Sequence, residues 1–514
     1  MSPVTGSSSP SAAEGTPRTR GPGPRTAAVL VFGSSAAVLV VEIAALRLLA
    51  PYLGLTLETS TMVIGIALTA IAFGSWLGGV VADRVDPRRL IGPSLGVSGV
   101  VVALTPAVLR ATAEWAPPLL VLLASLTILV PGALLSAVTP LVTKLRLTSL
   151  AETGAVVGRL SGVGTLGAIV GTVLTGFVLV SRWPVSGILI GLGALLVAGS
   201  VLTGWRTRTW RGTTALPLAV VAGSLAATVA PGACDTETRY HCVRVVADPD
   251  RRGGRTLVLD GLRHSYVDLD DPTHLEFTYV RAIASVVDAA FPERVPLSAH
   301  HLGGGGLTFP RYLAATRPGT RSVVSEIDGG VARVDRDRLG LRSVPGVTVR
   351  VEDGRLGLRR LDAGSRDLVV GDAFGGVSVP WHLTTREAMA DVRRVLDEDG
   401  LYVANLIDHG DLAFARAEAA TLRATFPHVA LVGEPADIGT APSGTARGGN
   451  LVVLASTRPI DLRAAQEALD TRRTGWRIAT GDDLASWIGD ARPLTDDHAP
   501  VDQLLQPYGP PGST

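Results

Sequence analysis

Cysteine is nearly missing from this chain, with two residues in 514. That excludes a scaffold built on disulfides. All nine histidines fall after Cys234, and none stands at a ligand-like spacing from cysteine or another histidine, so no metal is expected. Basic charge is also lacking where a nucleic acid would need it. Before Cys234 there are 15 basic and 7 acidic residues, and from it onward 32 basic and 39 acidic. An acidic second half disfavours nucleic acid as a partner and mildly suits a cationic substrate.

What the first half has instead is apolar length. Hydrophobic residues make up 46% of the chain and the mean hydropathy is +0.34, with the long blocks concentrated ahead of Cys234. Residues 1–25 are rich in Ser, Pro, Gly, Thr and Arg and read as a disordered basic arm. Residues 26–233 then predict a multi-pass membrane domain of about seven helices, at about 27–50, 60–82, 90–109, 117–141, 155–180, 185–204 and 214–232, each near the roughly 20 residues that a bilayer requires. Arg18, Arg20, Arg25, Arg84, Arg88, Arg89, Lys144, Arg146, Arg159, Arg206, Arg208 and Arg211 then share one side, against Arg110 and Arg182 on the other. The amino terminus should be cytoplasmic in a cell membrane, and an odd number of spans places the second half outside.

Two details of this half carry chemistry. The connection from Gly79 to Arg89, with Asp83-Arg84 at its centre, resembles the loop between the second and third helices of major facilitator transporters. Glu42 and Arg47 lie inside the first apolar stretch, where charge is costly unless paired or facing a polar cavity; they read either as a structural pair, with Arg47 reaching the interface, or as contacts to a ligand.

Cys234 and Cys242 follow the last stretch, eight positions apart. They read as a disulfide in an oxidising compartment or as two buried thiols, and agreement with the charge count leans toward the disulfide and an extracytoplasmic domain. Residues 234–292 predict a small β subdomain (Val243–Ala247, a turn at Arg252–Gly254, Thr256–Gly261) and a linking helix carrying Leu275, Tyr279, Ile283 and Val287 at helical spacing.

From residue 293 to 514 strands and helices alternate, which predicts an α/β, Rossmann-like domain. An apolar run from about Val295 leads into Gly303, Gly304, Gly305 and Gly306 and then a helix, a place where backbone can approach a ligand. The next apolar run ends in Ser325-Glu326-Ile327-Asp328, another in Glu352-Asp353-Gly354, and a fourth in Gly371-Asp372-Ala373-Phe374. Four successive strand ends carrying glycine or acid line one crevice in an open sheet, so a nucleoside-like ligand is expected there.

These segments, with LVLDG at 257–261 and LDEDGLYVAN at 396–405, resemble the spermidine synthase (polyamine aminopropyltransferase) family over about Thr256–Asn405. That resemblance implies a class I methyltransferase-type sheet. It also implies that Gly303, Gly304, Gly305 and Glu326 hold the amino-acid part and ribose of decarboxylated S-adenosylmethionine, that Asp353 holds its adenine, and that Asp372 takes a proton from the attacking amine. The chain departs from the family at Gly375, where a second acid is usual, and at His264, where glutamine is usual. His264, Tyr279, Asp496 and Asp497 are the candidates for the acceptor side, the last two as replacements for the missing acid if their segment folds over the crevice mouth. Helix capping and a solvated loop are the alternative for that segment.

The sequence therefore points to a membrane-anchored aminopropyltransferase acting on an amine such as putrescine in polyamine biosynthesis. The rivals are a methyltransferase using S-adenosylmethionine and a non-catalytic, transporter-like or sensing protein that binds a polyamine or nucleoside. No permanently bound cofactor is expected. The expected partners are an amine, a nucleoside-type donor, the lipid bilayer and, as an option, a second copy of the chain.

Overall fold

The computed structural model describes residues 22–53, 57–147, 152–207, 234–376, 378–441 and 446–506. The expected basic arm, up to residue 21, and the expected seventh stretch at 214–232 lie outside the described residues.

The first half is helical: α1 (Pro24–Leu53), α2 (Leu57–Arg84), α3 (Arg88–Trp115), α4 (Leu120–Ser136), α5 (Val138–Arg146), α6 (Thr153–Leu174) and α7 (Val185–Thr207). Among the described residues, six helical segments are long and apolar enough to cross a membrane, with α4 and α5 forming one of them. Their apolar character runs all round, as a lipid-facing helix requires, and large side chains such as Trp76 and Phe177 stand on the outer surface. Small residues set the helix contacts. A Cβ on Gly167 of α6 would lie 2.3 Å from the Phe32 carbonyl oxygen of α1, so side-chain bulk at this position would separate the two helices.

The bundle has two chemically distinct ends. At one, Lys144 Nζ donates to Asp83 Oδ1 at 2.6 Å and Arg146 donates to the Pro22 carbonyl at 3.4 Å. At the other, Arg110 Nη2 donates both to Ser186 Oγ and to Glu237 Oε1 at 2.9 Å. Arg47 also turns to that second end, its guanidinium 5.2 Å from the ring centroid of Tyr240. Glu237 and Tyr240 belong to the second half of the chain, which therefore docks on the end of the bundle away from Pro22.

The second half begins with an antiparallel four-stranded sheet in the order β1 (Thr236–Glu237), β2 (Cys242–Ala247), β3 (Gly254–Leu259), β4 (Leu262–Asp268). A Cys234–Cys242 disulfide closes the loop that carries β1. After α8 (Thr278–Ala290) come β5 (Ser298–Leu302), α9 (Thr308–Thr316), β6 (Arg321–Glu326), α10 (Gly329–Arg338), β7 (Val347–Val351), α11 (Gly354–Arg359) and β8 (Arg366–Gly371). The chain continues through α12 (Arg386–Val395), β9 (Leu396–His409), α13 (Ala413–Arg423), β10 (His428–Gly433), β11 (Gly448–Ser456), α14 (Leu462–Thr471) and β12 (Arg477–Thr480).

These last strands form one eight-stranded sheet, ordered β12-β10-β11-β9-β8-β5-β6-β7. The five from β7 to β9 are parallel, and β11, β10 and β12 are antiparallel. The central strands are apolar on both faces, as burial between two helical layers demands. One layer packs Val369, Tyr402 and Leu431 against α12 and α13, and the other packs Ala299, Leu368 and Val403 against α8 and α9. Strand order reverses at β5, which pairs with β6 on one side and β8 on the other. That reversal opens a crevice at the carboxyl ends of the two strands. The sheet starts at Ser298 and not at about Val295, because Pro296 has no N–H to give the ladder.

Candidate active site

The crevice encloses about 710 Å³ and is walled by the ends of β5, β6, β7, β8 and β9, the small sheet and the loops around β10 and β11. Gly303, Gly304, Gly305, Glu326, Asp353 and Asp372 all line it, as do His264 and Tyr279.

Glycine is required where β5 meets β8. Gly303 has φ +95°, and a Cβ there would lie 2.2 Å from the Asp372 carbonyl oxygen. The turn and the acid are thus in direct contact. One residue on, Gly304 N–H donates to Glu326 Oε2 at 2.7 Å, while Glu326 Oε1 accepts from Asp328 N–H at 2.7 Å. Burial pushes the Glu326 carboxyl up against these two bonds. Asp328 in turn caps α10 by accepting from Gly330 N–H at 2.8 Å, and it accepts from the Thr238 hydroxyl of the disulfide loop.

Asp353 caps α11, its Oδ1 accepting from Leu356 N–H at 3.0 Å, and its Oδ2 lies 2.8 Å from His382 Nε2. Burial raises this carboxyl, but the bonds from Leu356 and His382 outweigh it and leave it below the usual range. A carboxylate in this state stays ionised at neutral pH and can accept from an amino group.

Asp372 stands just past β8. Its Oδ2 accepts from the Tyr279 hydroxyl at 3.2 Å and its Oδ1 from Asn405 Nδ2 at 3.0 Å. Burial raises it to about 6 against the opposing pull of Asn405 and Tyr279. Tyr279 is itself pushed well above its ordinary range by burial and by Asp372, so it remains a donor. A carboxylate that titrates near neutrality, with one lone pair of each oxygen already oriented, has the properties of a proton acceptor.

His264 lies on β4 in the crevice wall, and burial with the neighbouring His241 lowers it to about 4, so it faces the ligand space uncharged. His241 was not singled out by sequence. It sits 2.6 Å from Asp260 Oδ2, which raises it despite burial.

The segment with Asp496 and Asp497 does not reach the crevice mouth. Asp496 accepts from both Nη1 and Nη2 of Arg355 at 2.8 Å and from the Thr385 hydroxyl at 2.7 Å, tying the segment to α11 and α12. Asp497 is exposed and is not part of the lining. At Gly375, among the described residues, no atom lies nearer than 3.9 Å to an added Cβ. Asn405, Asn450, Glu434, Asp437 and Trp476 complete the far end of the crevice. None of these carries a strand-end signature in the sequence, because β9 reads as an apolar strand, Asn450 lies near the start of β11 and the others come from loops far along the chain.

Known proteins resemble this half. A polyamine aminopropyltransferase of Vibrio vulnificus is 27% identical over 203 residues, which is 37% of this chain and 64% of that protein. One from Chromobacterium violaceum is 29% identical over 141 residues, 27% of this chain and 53% of that protein. The chain thus spans between about half and two thirds of the length of these relatives. A crystal structure of a probable spermidine synthase from Corynebacterium glutamicum shares 30% identity, with 52% of this chain and 97% of that one covered at a TM-score of 0.47. No protein-family model matches. Part of this chain is thus homologous, at modest identity, to polyamine aminopropyltransferases.

Proposed function

We propose that the chain is a membrane-anchored aminopropyltransferase that moves the aminopropyl group of decarboxylated S-adenosylmethionine to an amine such as putrescine. The observation that carries the reading is Asp372, buried beside the glycine turn with both oxygens oriented by Tyr279 and Asn405. An amine must be neutral to attack. Its nitrogen lone pair forms a bond to the methylene carbon next to sulfur, the carbon–sulfur bond breaks, and the electron pair stays on sulfur as the thioether of methylthioadenosine. Asp372, ionised, accepts the proton that the new C–N bond makes acidic. Glu326 and Asp353 supply acceptors for ribose hydroxyls and an adenine amino group, and the glycine turn at Gly303, Gly304 and Gly305 lines the crevice for the donor's tail.

The test is purified full-length protein supplied with decarboxylated S-adenosylmethionine and several amines, followed by methylthioadenosine release. Release that requires an amine supports the reading; none, with nucleoside still bound, leaves a binding protein.

One observation favours that second reading. We propose that the amino terminus is cytoplasmic and the α/β half lies on the other face of the membrane. In support, Lys144 and Arg146 gather with Pro22 at one end of the bundle, whereas Arg110 and Glu237 meet at the other, and excess basic charge marks the cytoplasmic side. The Cys234–Cys242 disulfide agrees with an oxidising compartment. A sulfonium donor made in the cytoplasm would not reach such a domain unaided, which suits sensing of a polyamine or nucleoside. A carboxy-terminal reporter active only in the cytoplasm would overturn this orientation.

A further inference from the structure

β11 runs against the parallel strands and delivers a side chain to the reacting end of the crevice. It starts from a bend in which the buried Asp437 carboxylate accepts from the N–H groups of Arg447 and Gly448 at 2.8 and 3.0 Å. Gly448 has φ +78°, and a Cβ there would lie 2.3 Å from the Asp408 carbonyl oxygen, so the bend is fixed tightly against β9. Two residues on, Asn450 Nδ2 donates to Asn405 Oδ1 at 2.9 Å. Asn405, 3% exposed, donates from Nδ2 to Asp372 Oδ1 at 3.0 Å.

The direction of this chain is self-consistent. Turning the Asn405 amide over would aim its carbonyl oxygen at a carboxylate and its NH₂ at the NH₂ of Asn450, making both contacts repulsive. The donor from Asn450 therefore selects the rotamer in which Asn405 is a donor to Asp372. We infer that Asn450 is a positioning residue for Asp372, acting through Asn405, which keeps the carboxylate aimed and ready to accept a proton. The inference rests on the reading of Asp372 as the proton acceptor.

Other ionisable groups do not substitute for this relay. Glu326 and Asp353 at the neighbouring strand ends have backbone partners, and His382 and His241 are held by Asp353 and Asp260. His264 and Arg263 on the small sheet, Glu276 ahead of α8 and Glu434 after β10 line the crevice, and Asp437 is committed to the bend. Among the described residues, the hydrogen bonds to the Asp372 side chain come from Tyr279 and Asn405.

The experiment follows the Asp372 carboxyl directly, by infrared difference spectroscopy of full-length protein titrated in detergent, using the protonated-carboxyl band that Asp372→Asn abolishes. Asn450→Leu should raise the midpoint of that band by about one pH unit, the effect of weakening a hydrogen bond to the charged form, and Asn405→Leu should raise it at least as much. Asn450→Ser, which keeps a donor, should restore part of the shift. Methylthioadenosine affinity should not change. In turnover, kcat should fall and the acid limb of the pH profile should move up, with KM for the donor unaltered. If Asn450→Leu does not fold, Asn450→Ala makes the same measurement. A midpoint that stays put, or a folded wild type with no Asp372-dependent band in the neutral range, overturns the inference. A shifted midpoint in a protein that turns over no amine would instead remove the aminopropyl reading and leave the relay standing.

Discussion

The two ends of the crevice are built differently. At the end proposed for the nucleoside the carboxylates sit at strand ends and are satisfied chiefly by backbone: Glu326 by Gly304 and Asp328, Asp353 by Leu356, with His382 as a side-chain partner of Asp353. Their geometry follows from the turn itself. At the reacting end Asp372 is held by side chains, Tyr279 from α8 and Asn405 from β9, with Asn450 behind. Backbone-held acids tolerate drift elsewhere in the sequence, whereas a side-chain-held acid depends on residues up to 93 positions away. The first end should therefore be robust to substitution elsewhere and the second adjustable.

The sharpest way to break this comparison is Asp372→Asn. Turnover should fall by about a hundredfold or more, the usual contribution of a general base, while methylthioadenosine affinity measured by calorimetry holds. Next in size, Glu326→Gln should weaken nucleoside binding by about 1 to 3 kcal/mol, the loss of a hydrogen bond to a charged group; unchanged affinity for methylthioadenosine would sink the assignment of that end.

A stability measurement separates Asp372 from Asp353 in sign. Asp372 is raised from its ordinary 3.8 to about 6, so the folded state holds its proton where the unfolded chain has released it, and this group lowers stability as pH rises from 3.8 to about 6. Asp372→Asn should therefore gain thermal stability relative to wild type at neutral pH, and the gain should vanish in acid below that window. Asp353 is lowered, so it contributes stability above the ordinary carboxylate range that is lost as pH falls through its folded value. Asp353→Asn should thus lose stability at neutral pH. The smallest effect is expected from Gly375→Asp, where an added Cβ meets no described atom nearer than 3.9 Å: diamine KM should fall by about several-fold, the gain of one exposed charge contact, with the donor KM unmoved.

The same contrast explains what could be read from sequence. Gly303, Glu326, Asp353 and Asp372 are legible because an apolar run followed by glycine or acid marks a strand end, and the fold gathers such ends at one crevice. The relay is not. Asn405 sits inside LYVANL, which reads as buried strand, and Asn450 reaches it from 45 residues further on. Asp496 misled because its acidity is visible in sequence and its partner is not, Arg355 being 141 positions away. The six described apolar helices agree with the first six expected stretches, since length and composition alone set them.

The loop from Cys234 to Cys242 touches both halves of the molecule. Glu237 is gripped by Arg110 and Ser186, and Tyr240 lies beneath Arg47, while Thr238 reaches Asp328 and His241 stands in the crevice wall. The seam between the helical bundle and the α/β half therefore does not run between two finished parts. The apolar helices are a jig that seats one side of the crevice, and a version of the α/β half cut free after Cys242, or grafted onto a different set of helices, would carry its strand-end acids intact behind a wall no longer clamped in place.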